Sequence, residues 1–180
     1  MSRKVRHVPA DWKHPVYTES NAPYPNRVGR PIPLFDGSYK RDAEEWDEGW
    51  AKWQEGLCES YGTAGKWAPI DPKHAGLRYT DYAGTRPSPD DYMPDWPEAD
   101  RTHLMMYETT SEGTPISPAF ATPEELARWL ADNGASAFGG SKATYEQWLF
   151  AARGGWSPSA VVVDGQIQSG VEAMSARATT

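Results

Sequence analysis

Residues 122–134, Thr-Pro-Glu-Glu-Leu-Ala-Arg-Trp-Leu-Ala-Asp-Asn-Gly, spell a helix with both ends marked. Thr122 is an N-cap, and Pro123 takes the first helical position, where a missing N–H costs nothing. Glu125, three residues after the cap, completes a capping box. Leu126, Trp129 and Leu130 then recur at the spacing of one buried stripe. Asn133-Gly134 supplies the left-handed stop. A helix this short holds its shape mainly by burying that stripe against something else.

The flanking sequence offers the surface. Upstream, residues 102–109 (THLMMYET) alternate as a strand, with Leu104 and Met106 on one face and Met105 and Tyr107 on the other. Thr110-Ser111-Glu112-Gly113 reads as a turn. Pro115-Ile116-Ser117-Pro118 reads as a short edge segment, since proline cannot donate to a central ladder. Downstream, a glycine-rich loop runs to Lys142. Thr144 with Gln147 then caps a second short helix, whose Tyr145, Trp148, Leu149 and Ala152 share a face before Gly154-Gly155. Val161-Val162-Val163, Asp164-Gly165 and Gln166-Ile167-Gln168 predict a hairpin, because Asp-Gly suits a type I′ turn. The class predicted is α+β: a small antiparallel sheet from residues 102–120 and 160–170, covered by helices near 122–132 and 144–152.

The first half is less regular. Residues 1–40 show neither period and carry Pro9, Pro15, Pro23, Pro25, Pro31 and Pro33 among scattered aromatics. Over residues 1–30, Arg3, Lys4, Arg6, Lys13, Arg27 and Arg30 face only Asp11 and Glu19, so the stretch predicts an extended, basic, proline-rich arm. Trp46, Trp50, Trp53 and Leu57 follow the i, i+4, i+7, i+11 pattern of an amphipathic helix, with Asp42 as its N-cap and Glu45 three residues on. Gly49 and Gly56 weaken that helix, and Gly62 and Gly65 end any continuation. Residues 66–98 read as proline-rich wrapping loop. The expected organisation is an arm at 1–40, a single α+β domain over 41–175 and a flexible tail at 176–180.

At 180 residues the chain can bury a real core without a staple, and its one cysteine, Cys58, excludes an intrachain disulfide. No run approaches the roughly 18 apolar residues of a membrane span, so a cytoplasmic protein is expected. The net charge of −7 argues against general nucleic-acid binding and suits a basic protein partner.

Chemistry leaves few marks. His7, His14, His74 and His103 show no metal-ligand spacing and no second cysteine joins Cys58, so no metal or cofactor is expected. No nucleophile elbow or Ser-x-x-Lys pair occurs, and no catalytic residue is assigned. Glu124 and Glu125 are accounted for by the helix dipole and the capping box. Gly139, Gly140, Ser141, Lys142 and Thr144 form a glycine-rich loop leading to a helix N-terminus, which could hold an anion, although they lack the order of a phosphate-binding loop. The nine tryptophans exceed what a core of this size requires, so part of them should form an interaction surface. Trp12 and Tyr24 in the arm, with Trp67, Tyr82 and Trp96 in the middle segment, are the candidates.

Residues 92–96 (YMPDW), 106–118 (MYETTSEGTPISP), 123–138 (PEELARWLADNGASAF) and 143–149 (ATYEQWL) together carry a likeness to known sequences. The chain resembles an uncharacterised family of small proteins encoded by tailed bacteriophages and prophages, over roughly residues 92–175, with echoes at Val5–Pro9 and Pro33–Gly37. The resemblance implies a setting, the bacterial host cytoplasm during phage gene expression, and transfers no activity. The function expected is a non-enzymatic accessory protein that binds a host or defence protein. Alternatives are a ligand- or nucleotide-binding protein or enzyme using the loop at 134–144, and a structural virion or assembly component. A homodimer is also compatible with the aromatic surplus.

Overall fold

The strand expected near residues 102–109 spans His103–Glu108, and its long partner is a strand that alternation did not reveal, Ser2–Val8. The computed structural model describes residues 2–59, 65–109, 113–163 and 165–177. In chain order the elements are β1 (Ser2–Val8), α1 (Tyr39–Gln54), β2 (Leu57–Glu59), β3 (Trp67–Pro69), α2 (Tyr79–Ala83), β4 (His103–Glu108), β5 (Thr114–Pro115) and α3 (Pro123–Asp132). Then follow β6 (Ser136–Phe138), β7 (Ser141–Lys142), α4 (Tyr145–Gly154), β8 (Trp156–Pro158), β9 (Ala160–Val163), β10 (Gln166–Ser169) and α5 (Gly170–Arg177). Short helices beside small antiparallel sheets make the class α+β. Gly62, the turn at Thr110–Glu112, Asp164 and residues 178–180 lie outside the described residues.

Two compact units replace the expected arm and single domain: Met1–Leu34 with Asp95–Thr180, and Phe35–Pro94. The second unit closes on its own start, because the Phe35 amide donates to the Asp91 carbonyl at 2.8 Å and the Met93 amide to the Phe35 carbonyl at 3.0 Å. At the other end, Ala176 and Arg177 belong to α5 rather than to a tail.

In the first unit the sheet order is β5-β4-β1-β8. The pairing of β1 with β4 runs from Arg3 opposite Glu108 to Val8 opposite His103. The start of the stretch read as an extended arm, Ser2–Val8, is therefore a central strand of the sheet. Its sequence hid this because Arg3 and Arg6 occupy positions 2 % and 6 % exposed. The Arg3 guanidinium meets Glu108 at 2.8 Å and donates to the Ser136 carbonyl at 3.0 and 3.1 Å, which compensates its lost hydration. Val5 and Met106 face the core built by Leu126, Ala127 and Leu130 of α3, Trp148, Ala151 and Ala152 of α4, and Val171 of α5. Both capping boxes form, Thr122 with Glu125 and Thr144 with Gln147. The hairpin of β9 and β10 also forms, but as a separate two-stranded sheet, so residues 160–170 do not join the sheet of β4.

The proline-rich stretch packs over the opposite sheet face. Val8 and Tyr107 there are fully buried, with the Arg6 guanidinium 4.2 Å from the Tyr107 ring centre and donating to the Leu34 carbonyl at 2.9 Å. The segment 15–32 folds back on itself as a finger. Its stem is closed by Tyr17 N to Arg30 O at 2.9 Å, Gly29 N to Tyr17 O at 2.8 Å and Ile32 N to Pro15 O at 3.0 Å.

In the second unit α1 starts earlier than expected. Ser38, not Asp42, is the N-cap, accepting from the Arg41 amide, while Asp42 accepts from the Tyr92 hydroxyl at 3.0 Å. Trp53 is buried and Trp46 half-buried, but Trp50 is 49 % exposed and Leu57 lies beyond the helix. The inward face runs instead through Ala43, Trp46, Gly49 and Trp53. Gly49 is required there, because the Tyr79 hydroxyl stands where a Cβ would be.

Candidate functional site

Helix α3 carries two surfaces at once. Leu126 and Leu130, one turn apart, are fully buried in the core. Trp129, expected in the same stripe, is offset around the helix by about 100° per residue from Leu130 and ends half-buried at the boundary. Its ring lies 6.1 Å from that of Phe120, centre to centre. With Tyr145, from the first turn of α4, these rings line an open groove of about 520 Å3 that follows the helix from Glu124 and Glu125 to Asp132 and Asn133.

The groove's charges are unequal. Glu124, Glu125 and Asp132 line it against one cation, Arg128, whose guanidinium sits 3.8 Å over the Tyr145 ring. Glu124 pairs with Arg153 at 2.6 Å, and that hydrogen bond holds its carboxyl below the usual range. Glu125 accepts from the Thr122 amide at 3.2 Å, which spends one oxygen and leaves its charge. Asp132 has no ion-pair partner among the described residues, and the last turn of α3 holds no basic residue. Past that end, the Lys142 side chain passes 3.0 Å from where a Cβ on Gly134 would stand. Such a surface suits a partner with apolar and basic side chains, held on rings that two capped helices keep in place. The sequence carried one trace of it: Trp129 has Glu125 four residues before it and Asp132 three after it, the helical spacings of a residue on the edge of the buried stripe.

The residues singled out from sequence are distributed otherwise. Trp12 and Trp96 come together edge to face at 4.7 Å, and the Trp12 indole donates to the Tyr107 hydroxyl at 3.3 Å. Both are half-buried, and Trp96 with Asp11 and Asp100 lines a second pocket of about 470 Å3. Tyr24 is 69 % exposed on the finger. Trp67 and Tyr82 belong to the other unit, where Trp67 is half-buried on β3 and Tyr82 packs 4.7 Å from Trp53 and 5.2 Å from His74.

The glycine-rich loop is a β-hairpin. Gly139 and Gly140 form its turn between β6 and β7 with φ of 54° and 88°, a left-handed pair that side chains disfavour. The groups an anion would need are engaged internally. The Gly140 amide donates to Ser136 Oγ at 3.3 Å, the Ser141 hydroxyl donates to the Phe138 carbonyl at 2.6 Å, and Thr144 closes the α4 N-terminus with its own capping box. Lys142 is exposed.

A partly buried polar chain joins the finger to the sheet. The His14 Nε2–H donates to the Ile32 carbonyl at 2.6 Å, so Nδ1 accepts from the Tyr107 hydroxyl at 3.1 Å, which in turn accepts from Trp12. Burial, with Arg6 nearby, lowers the His14 pKa and keeps the ring neutral, against the opposing effect of the Ile32 hydrogen bond. Tyr107 is inaccessible, so this chain positions structure rather than substrate. Cys58 is a half-buried free thiol, and among the described residues no group of three or more His, Cys, Asp or Glu is placed to hold a metal ion. Among them, too, no helix is long and apolar enough to cross a membrane. No family model, curated protein or solved structure matches this chain.

Proposed function

We propose that this chain is a non-enzymatic accessory protein that acts by binding another protein, a host or defence component, in a bacterial cell expressing phage or prophage genes. The observation that supports binding is the α3 groove, with half-exposed Trp129 and Phe120 on an acidic rim. Aromatic anchors on rigid elements contribute most of the energy of protein interfaces, because they bury large areas at a small entropic cost. Setting and partner class rest on the resemblance of residues 92–175.

The test is recovery of partners on affinity-tagged full-length protein from phage-infected or lysogenic cells. Wild type should retain a host protein that Asp132→Lys releases, with the melting temperature not lowered, because Asp132 is exposed, makes no ion pair among the described residues and ends a helix whose C-terminus favours a cation. A host protein retained equally by both, or none retained by either, would overturn the reading.

A further inference from the structure

We propose that the α3 groove receives the tip of the 15–32 finger from a second copy of this chain. The idea rests on the groove being a binding surface, and adds the occupant. Both complementary surfaces are on the molecule and both are open. Residues 23–30 are exposed except for the backbone bonds of their turn, with Tyr24 at 69 % and Val28 at 42 % exposure. Arg27 and Arg30 flank Val28, no acidic residue occurs between positions 20 and 35, and neither arginine makes an ion pair among the described residues. The groove presents the converse: aromatic walls from Phe120 and Trp129, with the carboxylates of Glu125 and of Asp132, which makes no ion pair among the described residues.

The dimensions agree. Glu125 to Asp132 spans about 10 Å along α3 at 1.5 Å per residue. The turn at Pro25–Arg27 is a 3-10 helix rising about 2 Å per residue, so Tyr24 and Arg27 fit within that length. Tyr24 would lie on Trp129 and Phe120, with Arg27 and Arg30 against Asp132 and Glu125. The finger is held in shape by its stem bonds, so little order is lost on docking. Donor and acceptor are different patches, so the contact is head-to-tail unless two copies exchange fingers.

Sedimentation of the full chain, followed up to about 1 mM because a contact this small is weak, reads the result. Wild type should associate with rising concentration, and salt should weaken it as it screens the charges. Arg27→Glu combined with Arg30→Glu should abolish association, and so should Asp132→Lys. Mixing the two variants should restore a 1:1 complex, because one keeps an intact groove and the other an intact finger. That complementation also shows that both are folded. A wild type monomeric throughout, association surviving in either variant alone, or a mixture that fails to pair would each overturn the proposal. Host-protein capture that is sensitive to Asp132→Lys in a chain that stays monomeric would sink the self-docking and leave the proposed function standing. Self-association without host capture would do the reverse.

Discussion

Arg3 and Glu108 pair across β1 and β4 at 2.8 Å, but they are buried unequally, 2 % against 32 % exposed. That inequality predicts which partner matters. Glu108→Ala leaves the guanidinium enclosed with, among the described residues, neutral acceptors alone: the Ser136 carbonyl and, at 3.5 Å, the Ser159 hydroxyl. Stranding one member of a buried pair costs about 3–5 kcal/mol, and the surviving acceptors place this case near ~3. Arg3→Met leaves a carboxylate that is already one-third in water and fills the vacated space with a thioether. Its cost is mainly the donors lost to the Ser136 carbonyl, roughly 1 kcal/mol. Urea unfolding followed by tryptophan fluorescence separates the two, provided the slope is unchanged. At about 2–4 °C per kcal/mol for a chain of this size, Glu108→Ala should lower Tm by roughly 6–12 °C and Arg3→Met by a third of that. Glu108→Leu added to Arg3→Met should cost far less than Glu108→Ala alone. Equal losses from the two single variants, or a larger one from Arg3→Met, would refute the account of β1 as a strand that buries its arginine only because a distant carboxylate meets it.

Folding lowers the His14 pKa, so the unfolded chain binds more protons, and this contribution to stability is complete above its unfolded value of about 6.5 and shrinks as pH falls toward the folded one. Between pH 7 and 5 the urea midpoint of wild type should fall more than that of His14→Gln, with Arg6 and Tyr107 the charged and titratable neighbours facing the ring; parallel curves would reject the role given to His14. Gly49→Ala should destabilise α1, although alanine in a helix interior ordinarily gains about 1 kcal/mol, because its Cβ meets the Tyr79 hydroxyl and ring. In the Tyr79→Ala background the same change should turn stabilising, and a double-mutant cycle without that sign reversal would show that the contact does not govern the glycine.

Features whose causes lie within three or four residues were readable in the chain alone. Thr122 with Glu125 and Thr144 with Gln147 satisfy helix-end amides from next door, and the hairpin around Gly165 follows from apolar residues on both sides of an Asp-Gly pair that suits a tight turn. They determined the class and the two helices that carry the core. Local signals misled wherever the deciding partner was distant. Ser2–Val8 looks like a charged tail until Glu108 and Ser136, more than 100 positions away, receive Arg3. Gly49 looks like a defect until Tyr79 fills its place, and Trp50 keeps the period of the inward face yet is 49 % exposed. The groove belongs to this second kind. Trp129 has a spacing that allows burial, but once Leu126 and Leu130 fill the core, tertiary packing leaves its ring with Phe120 and Tyr145 along an open, acidic surface. Periodicity states which side chains can share a face of a helix; only the arrangement of neighbouring elements decides where that face ends and water begins.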